Sequence, residues 1–353
     1  MKYLAILGRQ PEISVAELEA TDYCTNIERL GGTMKLAIKM DERPIEYLKA
    51  LSSGKITIGV SDYSKGASRK TATMEALKIK KILVRHGRSV RVVENKDAVL
   101  STATSLHNGL SGKNARKVEL IKVDDEWYRV IGVQDIEAYA RRDQGRPARD
   151  AKVGMLPPKL AQILINLCGP LKPGAVVLDP FCGTGVVLQE AILMGYKAYG
   201  TDINERMVDY SKKNLDWLLS TSQSFKPDVF QISQGDATSF TWQQPIDAVA
   251  CEGYLGKPMS TVPSEMKLKE QKAECGAIML GFLSNLVCQI KVDTPVVVAM
   301  PAWLRENGEY SRLEILDEID GLGYNVSNKS REGLIYARAG QIVARDIIIL
   351  RKK

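Results

Sequence analysis

A chain of 353 residues, 44% of them apolar, is long enough for two domains with separate cores. No run approaches the roughly 18 consecutive apolar residues of a membrane span, and residues 4–7 are too short a stretch for a signal peptide, so a cytoplasmic protein is expected. Six cysteines without a C-x-x-C pair, and only His86 and His107, argue against a zinc site or a disulfide framework, and no metal is expected.

The net charge of +7 is unevenly spread. Residues 1–150 carry 27 Lys+Arg against 20 Asp+Glu, leaving 22 against 22 in the remainder. An N-terminal part that attracts a polyanion would explain this, because phosphate neutralisation drives sequence-independent nucleic-acid binding. A basic domain that is merely soluble explains it equally well, so charge alone does not decide.

In chain order, residues 1–54 read as a small α+β unit: strand 3–7, helix 14–20, strand 33–40 and helix 44–51. Ser14 followed by Glu17 has the spacing of a capping box. Residues 55–140 form the next expected domain, with strand 55–60, helix 73–85 closed by Gly87, strand 89–93 and helix 101–110. Strands 117–123 and 127–133 then alternate around Asp124-Asp125-Glu126 as a hairpin does. Lys78, Lys80, Lys81, Arg85, Arg88 and Arg91 crowd one helix and the strand after it, which predicts a positive face for RNA.

Residues 141–155, charged and broken by Gly145 and Pro147, read as a linker. From 156 to 353 short apolar strands at 175–178, 197–201, 229–233, 248–250 and 295–299 alternate with helical patterns. That pattern predicts an α/β domain with a mostly parallel sheet, helices covering both faces.

The sharpest motif is Asp179-Pro180-Phe181-Cys182-Gly183-Thr184-Gly185, set between an apolar strand and the helix 186–193. Glycines here let the backbone turn tightly and approach a ligand at the carboxyl edge of the sheet. A Walker loop is excluded because no Gly-Lys-Ser/Thr follows. The dinucleotide fingerprint also fails, since Val186, Val187 and Leu188 follow Gly185 where a third glycine is needed.

The remaining pattern is that of an S-adenosylmethionine loop. In it one acid opens the turn and a second, here Asp202, ends the next strand to bond the ribose. Gly235-Asp236-Ala237 follows the third strand, where a carboxylate can accept from the adenine amino group. Singly, Asp179 and Asp236 could be helix caps and Asp202 a turn residue. Their joint spacing favours a cofactor site made of Asp179, Phe181, Gly183, Gly185, Asp202, Ile203, Asp236 and Ala237.

In methyltransferases that act on exocyclic amines, the fourth strand ends in Asp/Asn-Pro-Pro-aromatic; this chain has Cys251-Glu252-Gly253-Tyr254. An aryl amine is a weak nucleophile until fixed acceptors take its protons. Glu252 is expected to accept one, a backbone carbonyl near Gly253 the other, and Tyr254 to stack on a base drawn out of its helix. Two other readings stay open: Glu252 in an ordinary salt bridge, and Cys251 as a nucleophile for pyrimidine C5 methylation. Residues 255–274, with Lys257, Lys267, Lys269 and Lys272, read as a flap over the target or as a solvated helix start.

With these motifs in hand, the chain resembles the THUMP-domain tRNA guanosine-10 N2-methyltransferases of archaea and the related eukaryotic catalytic subunit. The resemblance rests on Arg142-Asp143, Arg146-Pro147, Leu156-Pro157-Pro158-Lys159-Leu160-Ala161, Asn166-Leu167, the Asp179 loop and Gly200-Thr201-Asp202-Ile203, while strand 55–61 and the basic helix look like a THUMP domain. It implies a ferredoxin-like/THUMP module holding tRNA, and a Rossmann-like class I domain using S-adenosyl-L-methionine to methylate guanine N2. It also leaves room for a small activating protein partner. Against the family's Asp-Pro-Pro-Tyr, this chain keeps the tyrosine and places its acid one residue later. A DNA amino methyltransferase and a non-catalytic RNA-binding protein are the competing classes.

Overall fold

The computed structural model describes all residues except 22–26, 151–154, 223–224 and 226–227. The chain forms two units, Met1–Arg9 with Cys24–Ala138, and Gln10–Tyr23 with Tyr139–Lys353.

The first unit contains β1 (Tyr3–Leu7), β2 (Thr33–Lys39), β3 (Ile56–Asp62), β4 (Val90–Val92), β5 (Lys117–Val123) and β6 (Glu126–Val133) in one sheet ordered β1-β2-β6-β5-β3-β4. β3 runs parallel to β4 and β5, and the other pairs are antiparallel. The division expected at residue 54 is therefore absent: β2 pairs with β6, Lys35 opposite Val133 and Lys39 opposite Tyr128, so residues on both sides of it share one sheet. An apolar-periodicity reading sees each strand but not which distant strand completes its hydrogen bonds.

After α1 (Pro11–Ala20), the unit's helices are α2 (Pro44–Ala50), α3 (Arg69–Arg85) and α4 (Thr102–His107). α3 buries Ala72, Ala76, Ile79 and Leu83, a helical stripe. Ala76, Ile79 and Leu83 pack with Ile56, Ile58 and Val60 of β3. It starts four residues before the expected Thr73, because Ser68 caps it: the Ser68 Oγ accepts from Thr71 N at 3.2 Å, and Thr71 Oγ1 accepts from Ser68 N at 2.9 Å. Beneath the sheet a buried Lys35 donates to Glu119 (2.6 Å), Ser105 (2.9 Å) and the Leu100 carbonyl (2.7 Å), while Ser61 and Ser105 donate to Glu119. A buried pair is tolerated only when its remaining groups are satisfied in this way.

α1 belongs to the second unit. Its Ile13 and Ala16 pack with Leu160 and Leu164 of α6 (Pro158–Leu167), and Asn166 Nδ2 donates to Glu17 Oε1 at 2.7 Å. The Ser14–Glu17 capping box does not form: Pro11 starts the helix, Ser14 lies inside it, and Glu17 is buried. The expected linker is also partly structured. Its first residues end α5 (Ile136–Gln144), and Arg142 bonds the fully buried Glu190; its residues 151–154 lie outside the described ones.

The second sheet contains β7 (Val176–Asp179), β8 (Lys197–Asp202), β9 (Phe230–Gln234), β10 (Ala248–Glu252), β11 (Pro295–Leu304), β12 (Tyr310–Ser311), β13 (Tyr324–Val326), β14 (Ile335–Tyr336) and β15 (Val343–Lys352). Its order is β13-β15-β11-β10-β7-β8-β9, with β12 beside β11 and β14 beside β15. The strands from β7 to β11 pair in parallel as expected, whereas β15 is antiparallel to β11 and β13. Together with α7 (Val186–Leu193), α8 (Glu205–Ser220) and α9 (Glu265–Val287), this is a Rossmann-like α/β domain. Strand order reverses between β7 and β10, which opens a crevice at their carboxyl ends.

The pleat divides β10 between two cores. Ala248 and Ala250 pack with α6 and α7, while Val249 and Cys251 pack with Met279 and Phe282 of α9.

Candidate active site

At the carboxyl end of β7 the chain turns through residues 180–185 into α7. Phe181 N donates to Asp179 Oδ1 at 3.1 Å, and Cys182 N to the Thr201 carbonyl at 2.9 Å. Gly183 has φ +51° and no heavy atom nearer than 3.9 Å to where a Cβ would stand, so its backbone is open to a ligand. Its N–H donates to Asp202 Oδ2 at 2.8 Å, and Asn204 N donates to Asp202 Oδ1 at 2.9 Å. The acid ending β8 thus ties the turn to its own strand.

A cavity of 730 Å³ opens here, well within the size range of small-molecule sites. Asp179, Phe181, Gly183, Asp202, Ile203, Asp236 and Ala237 line it together with Glu252, Gly253 and Tyr254. The crevice therefore opens toward Tyr254. Gly185 does not line it: this residue begins α7 at φ +80°, and a Cβ there would stand 2.9 Å from Ser211 Oγ of α8, so its role is helix packing. Asp236 is exposed and organises a turn, accepting from Thr238 N and Thr238 Oγ1 at 2.9 and 2.8 Å.

Burial pushes the Asp179 carboxyl well above the usual carboxylate range, and the nearby Asp202 and Glu252 add to this. Burial also raises Asp202, against the pull of its two backbone donors. Desolvated acids lining one wall favour a cationic ligand, and the apolar side chain of Ile203, 68% exposed, offers a flat aromatic ring a dry contact. These features fit the sulfonium, amino group and adenine of S-adenosylmethionine.

Glu252 is the last residue of β10, and its side chain lines the cavity while Cys251 faces the α9 core. The acid therefore stands at the strand end, where the amine-methyltransferase motif has its own. The chain departs from that motif after the acid, with the tyrosine only two positions on. Arg345 Nε donates to Glu252 Oε1 at 2.7 Å. The salt-bridge reading and the cavity reading of Glu252 hold together. Burial raises the Glu252 pKa and Arg345 opposes the rise.

Cys251 is 0% exposed, and burial drives its thiol well above its ordinary range. A nucleophilic cysteine needs access and thiolate character, so the pyrimidine C5 route is ruled out for this residue. Gly253 N donates to the Ala299 carbonyl at 3.0 Å. Tyr254 Oη donates to Glu274 Oε1 at 3.2 Å, Gln271 donates to the other Glu274 oxygen at 3.2 Å, and Lys257 N donates to Gln271 Oε1 at 2.8 Å. Residues 254–257 are thereby fastened to α9, which starts at Glu265; of the expected flap, residues 255–258 line the cavity.

On α3 of the first unit, Lys78, Lys81 and Arg85 are exposed and Lys80 is half-exposed. Lys78 pairs with Glu75 at 3.0 Å. Arg88 donates to the Ser52 carbonyl and Arg91 to Asn108, so these two are partly engaged in the fold. Met74, Leu77 and Val84 are about half exposed on the same helix.

Residues 146–275 match the family model described as an RMKL-like methyltransferase domain. The tRNA (guanine(10)-N2)-dimethyltransferase of Pyrococcus abyssi is 29% identical over 286 residues, 75% of this chain and 81% of that protein. The enzyme of the same name from Methanothermobacter thermautotrophicus is 38% identical over 108 residues, 31% of this chain and 30% of that one. A probable enzyme of that name from Methanothermococcus thermolithotrophicus is 53% identical over 112 residues, 31% of this chain and 64% of that one. The chain is therefore similar to enzymes named tRNA (guanine(10)-N2)-dimethyltransferase, over most of its length in the Pyrococcus protein and over about a third of it in the other two. In the latter two relatives the match spans less than two thirds of the protein.

The sequence pattern did not mark Asn204, which lines the cavity and caps α8, or Glu274 and Arg345. A signal for Arg345 was present. Arg345-Asp346 interrupts the apolar run of β15, and charges inside a buried strand imply buried partners. Asp346 takes Arg312 at 2.6 Å, leaving Arg345 for Glu252.

Proposed function

We propose that this protein is an S-adenosylmethionine-dependent tRNA methyltransferase acting on the exocyclic N2 of a guanosine. The observation that carries the reading is one cavity in which the Gly183 turn, Asp202 and the Glu252–Tyr254 segment meet. The names of its relatives support the substrate.

In this reading Gly183 leaves room for the donor's methionine part, Asp202 accepts from its ribose hydroxyls, and Ile203, Ala237 and Asp236 surround its adenine. Phe181 shapes the loop, and Asp179 faces the donor's positive charge. The bound donor supplies an electrophilic methyl carbon on a sulfonium. Glu252 accepts one proton of the guanine amine and a carbonyl near Gly253 the other, directing the nitrogen lone pair at that carbon. Tyr254, its hydroxyl held by Glu274, presents its ring to the extruded base. Geometry supplies much of the acceleration, since fixing nucleophile and electrophile in line replaces an encounter.

The first unit is read as a THUMP-type RNA-holding module whose α3 surface, with Lys78, Lys80, Lys81 and Arg85 and then Arg88 and Arg91, meets the phosphate backbone. A small activating protein and a cytoplasmic setting also belong to this reading; no helix among the described residues is long and apolar enough to cross a membrane. Incubation with tRNA and labelled donor, followed by mass spectrometry of the nucleosides, tests it. N2-methylated guanosine is expected; label in DNA alone, or none in tRNA, would reject it.

A further inference from the structure

We propose that Arg345 is a positioning residue for methyl transfer, gripping one oxygen of Glu252 so that the other is free for the substrate amine. The proposal rests on the reading of Glu252 as the amine's acceptor. Arg345 lies on β15, two strands from β10, and reaches Glu252 across β11 near Ala299 and Pro301. Its Nε meets Glu252 Oε1 at 2.7 Å, and among the described residues no hydrogen bond engages Glu252 Oε2. Glu252 lines the cavity and Arg345 does not, so the guanidinium stands behind the carboxylate and away from substrate.

A glutamate has more rotamers to lose than an aspartate, and an unpinned one would spread over several orientations at the moment of reaction. Side-chain exposures of 6% for Arg345 and 15% for Glu252 leave little solvent to compete for the bond. The same contact opposes the rise in the Glu252 pKa, since burial favours its neutral form and Arg345 the charged one.

The ionisable surroundings of Glu252 are few. Asp179 faces it from β7, and β11 between the partners has no ionisable side chain. α6 carries only Lys159, whose ammonium lies over the Tyr139 ring. The Tyr254 hydroxyl in the following loop is bound to Glu274 of α9.

The test compares wild type with Arg345→Met and Arg345→Lys. In Arg345→Met, kcat should fall about 10- to 100-fold, the scale of a misplaced reacting group. KM for tRNA and Kd for the donor should stay within about threefold, which marks a loss confined to the transition state. The acidic limb of the kcat profile should move to higher pH, because Glu252 loses the charge that holds its pKa down, and Arg345→Lys should recover part of both effects. NMR titration of carboxyl-labelled glutamate in the full chain reads the same shift without turnover. If Arg345→Met does not fold, Arg345→Lys carries the comparison through its smaller shift. An unmoved Glu252 titration, or wild-type kcat in Arg345→Met, would overturn the proposal. If wild type methylates no tRNA, the functional reading fails, and the titration still judges the hold of Arg345 on Glu252.

Discussion

Asp202 Oδ2 accepts the Gly183 N–H at 2.8 Å, so the acid that closes β8 also braces the turn that follows β7. One side chain thereby shapes the floor of the cavity and presents a carboxylate to its contents. Asp202→Ala removes the acceptor for Gly183 and Asn204 as well as for a ribose. Loss of charge-assisted hydrogen bonds of this kind is worth about 1.5–3 kcal/mol, or roughly 10- to 150-fold in affinity. Calorimetry with S-adenosylmethionine should show that weakening, with tRNA affinity unchanged. Equal donor affinity in variant and wild type would take Asp202 out of the site.

Glu252→Gln tests the chemistry apart from binding. A glutamine can still accept from Arg345 Nε, so the segment 252–254 keeps its shape while the negative charge disappears. Single-turnover rates should drop by about 100-fold or more, the scale of a lost catalytic acceptor. Donor and tRNA affinities, measured by calorimetry and filter binding, should hold. A variant as fast as wild type would show that the amine is deprotonated without Glu252.

The α3 surface makes a prediction about salt. Replacing Lys78, Lys81 and Arg85 by alanine removes three exposed cations without touching the buried stripe at Ala72, Ala76, Ile79 and Leu83. Each phosphate left without its cation should flatten the plot of log affinity against log salt by about 0.7–0.9. A tRNA titration at several salt concentrations reads this directly. An unchanged slope with unchanged affinity would place the RNA on another surface.

That Asp179, Gly183 and Asp202 line one cavity was legible because these residues are tied to local punctuation: Asp179 and Asp202 end strands, and Gly183 sits in the turn between a strand and a helix. Such positions follow from the period of two along a strand and from the φ that a tight turn demands. Gly185 was misread for a related reason, since a positive φ at a helix start looks the same whether a ligand or Ser211 requires the space. Partners supplied by distant elements were not legible. Arg345 lies 93 residues from Glu252, and only the antiparallel docking of β15 on β11 brings them together. The single sheet joining β2 to β6, and the packing of α1 on α6, are likewise products of pairing between distant segments.

Glu190 and Arg142 predict a pH dependence of stability. Glu190 is fully buried on α7, and Arg142 Nε meets its Oε1 at 2.6 Å. Burial lifts the Glu190 pKa from 4.5 to about 6, with Arg142 opposing. Between those values the folded state holds a proton that the unfolded chain has released. The stability contributed by this group is therefore complete below pH 4.5, declines as pH rises, and is lost above about 6. Thermal melts of wild type and Glu190→Gln across that range should show the wild-type advantage shrinking as pH rises, then levelling. Arg142→Met strands the carboxylate without its partner and should cost about 3–5 kcal/mol at neutral pH. That deficit should narrow toward pH 4.5, where Glu190 can be buried neutral. A deficit that stays constant with pH would mean that Arg142 stabilises α7 by packing and not through the charge of Glu190.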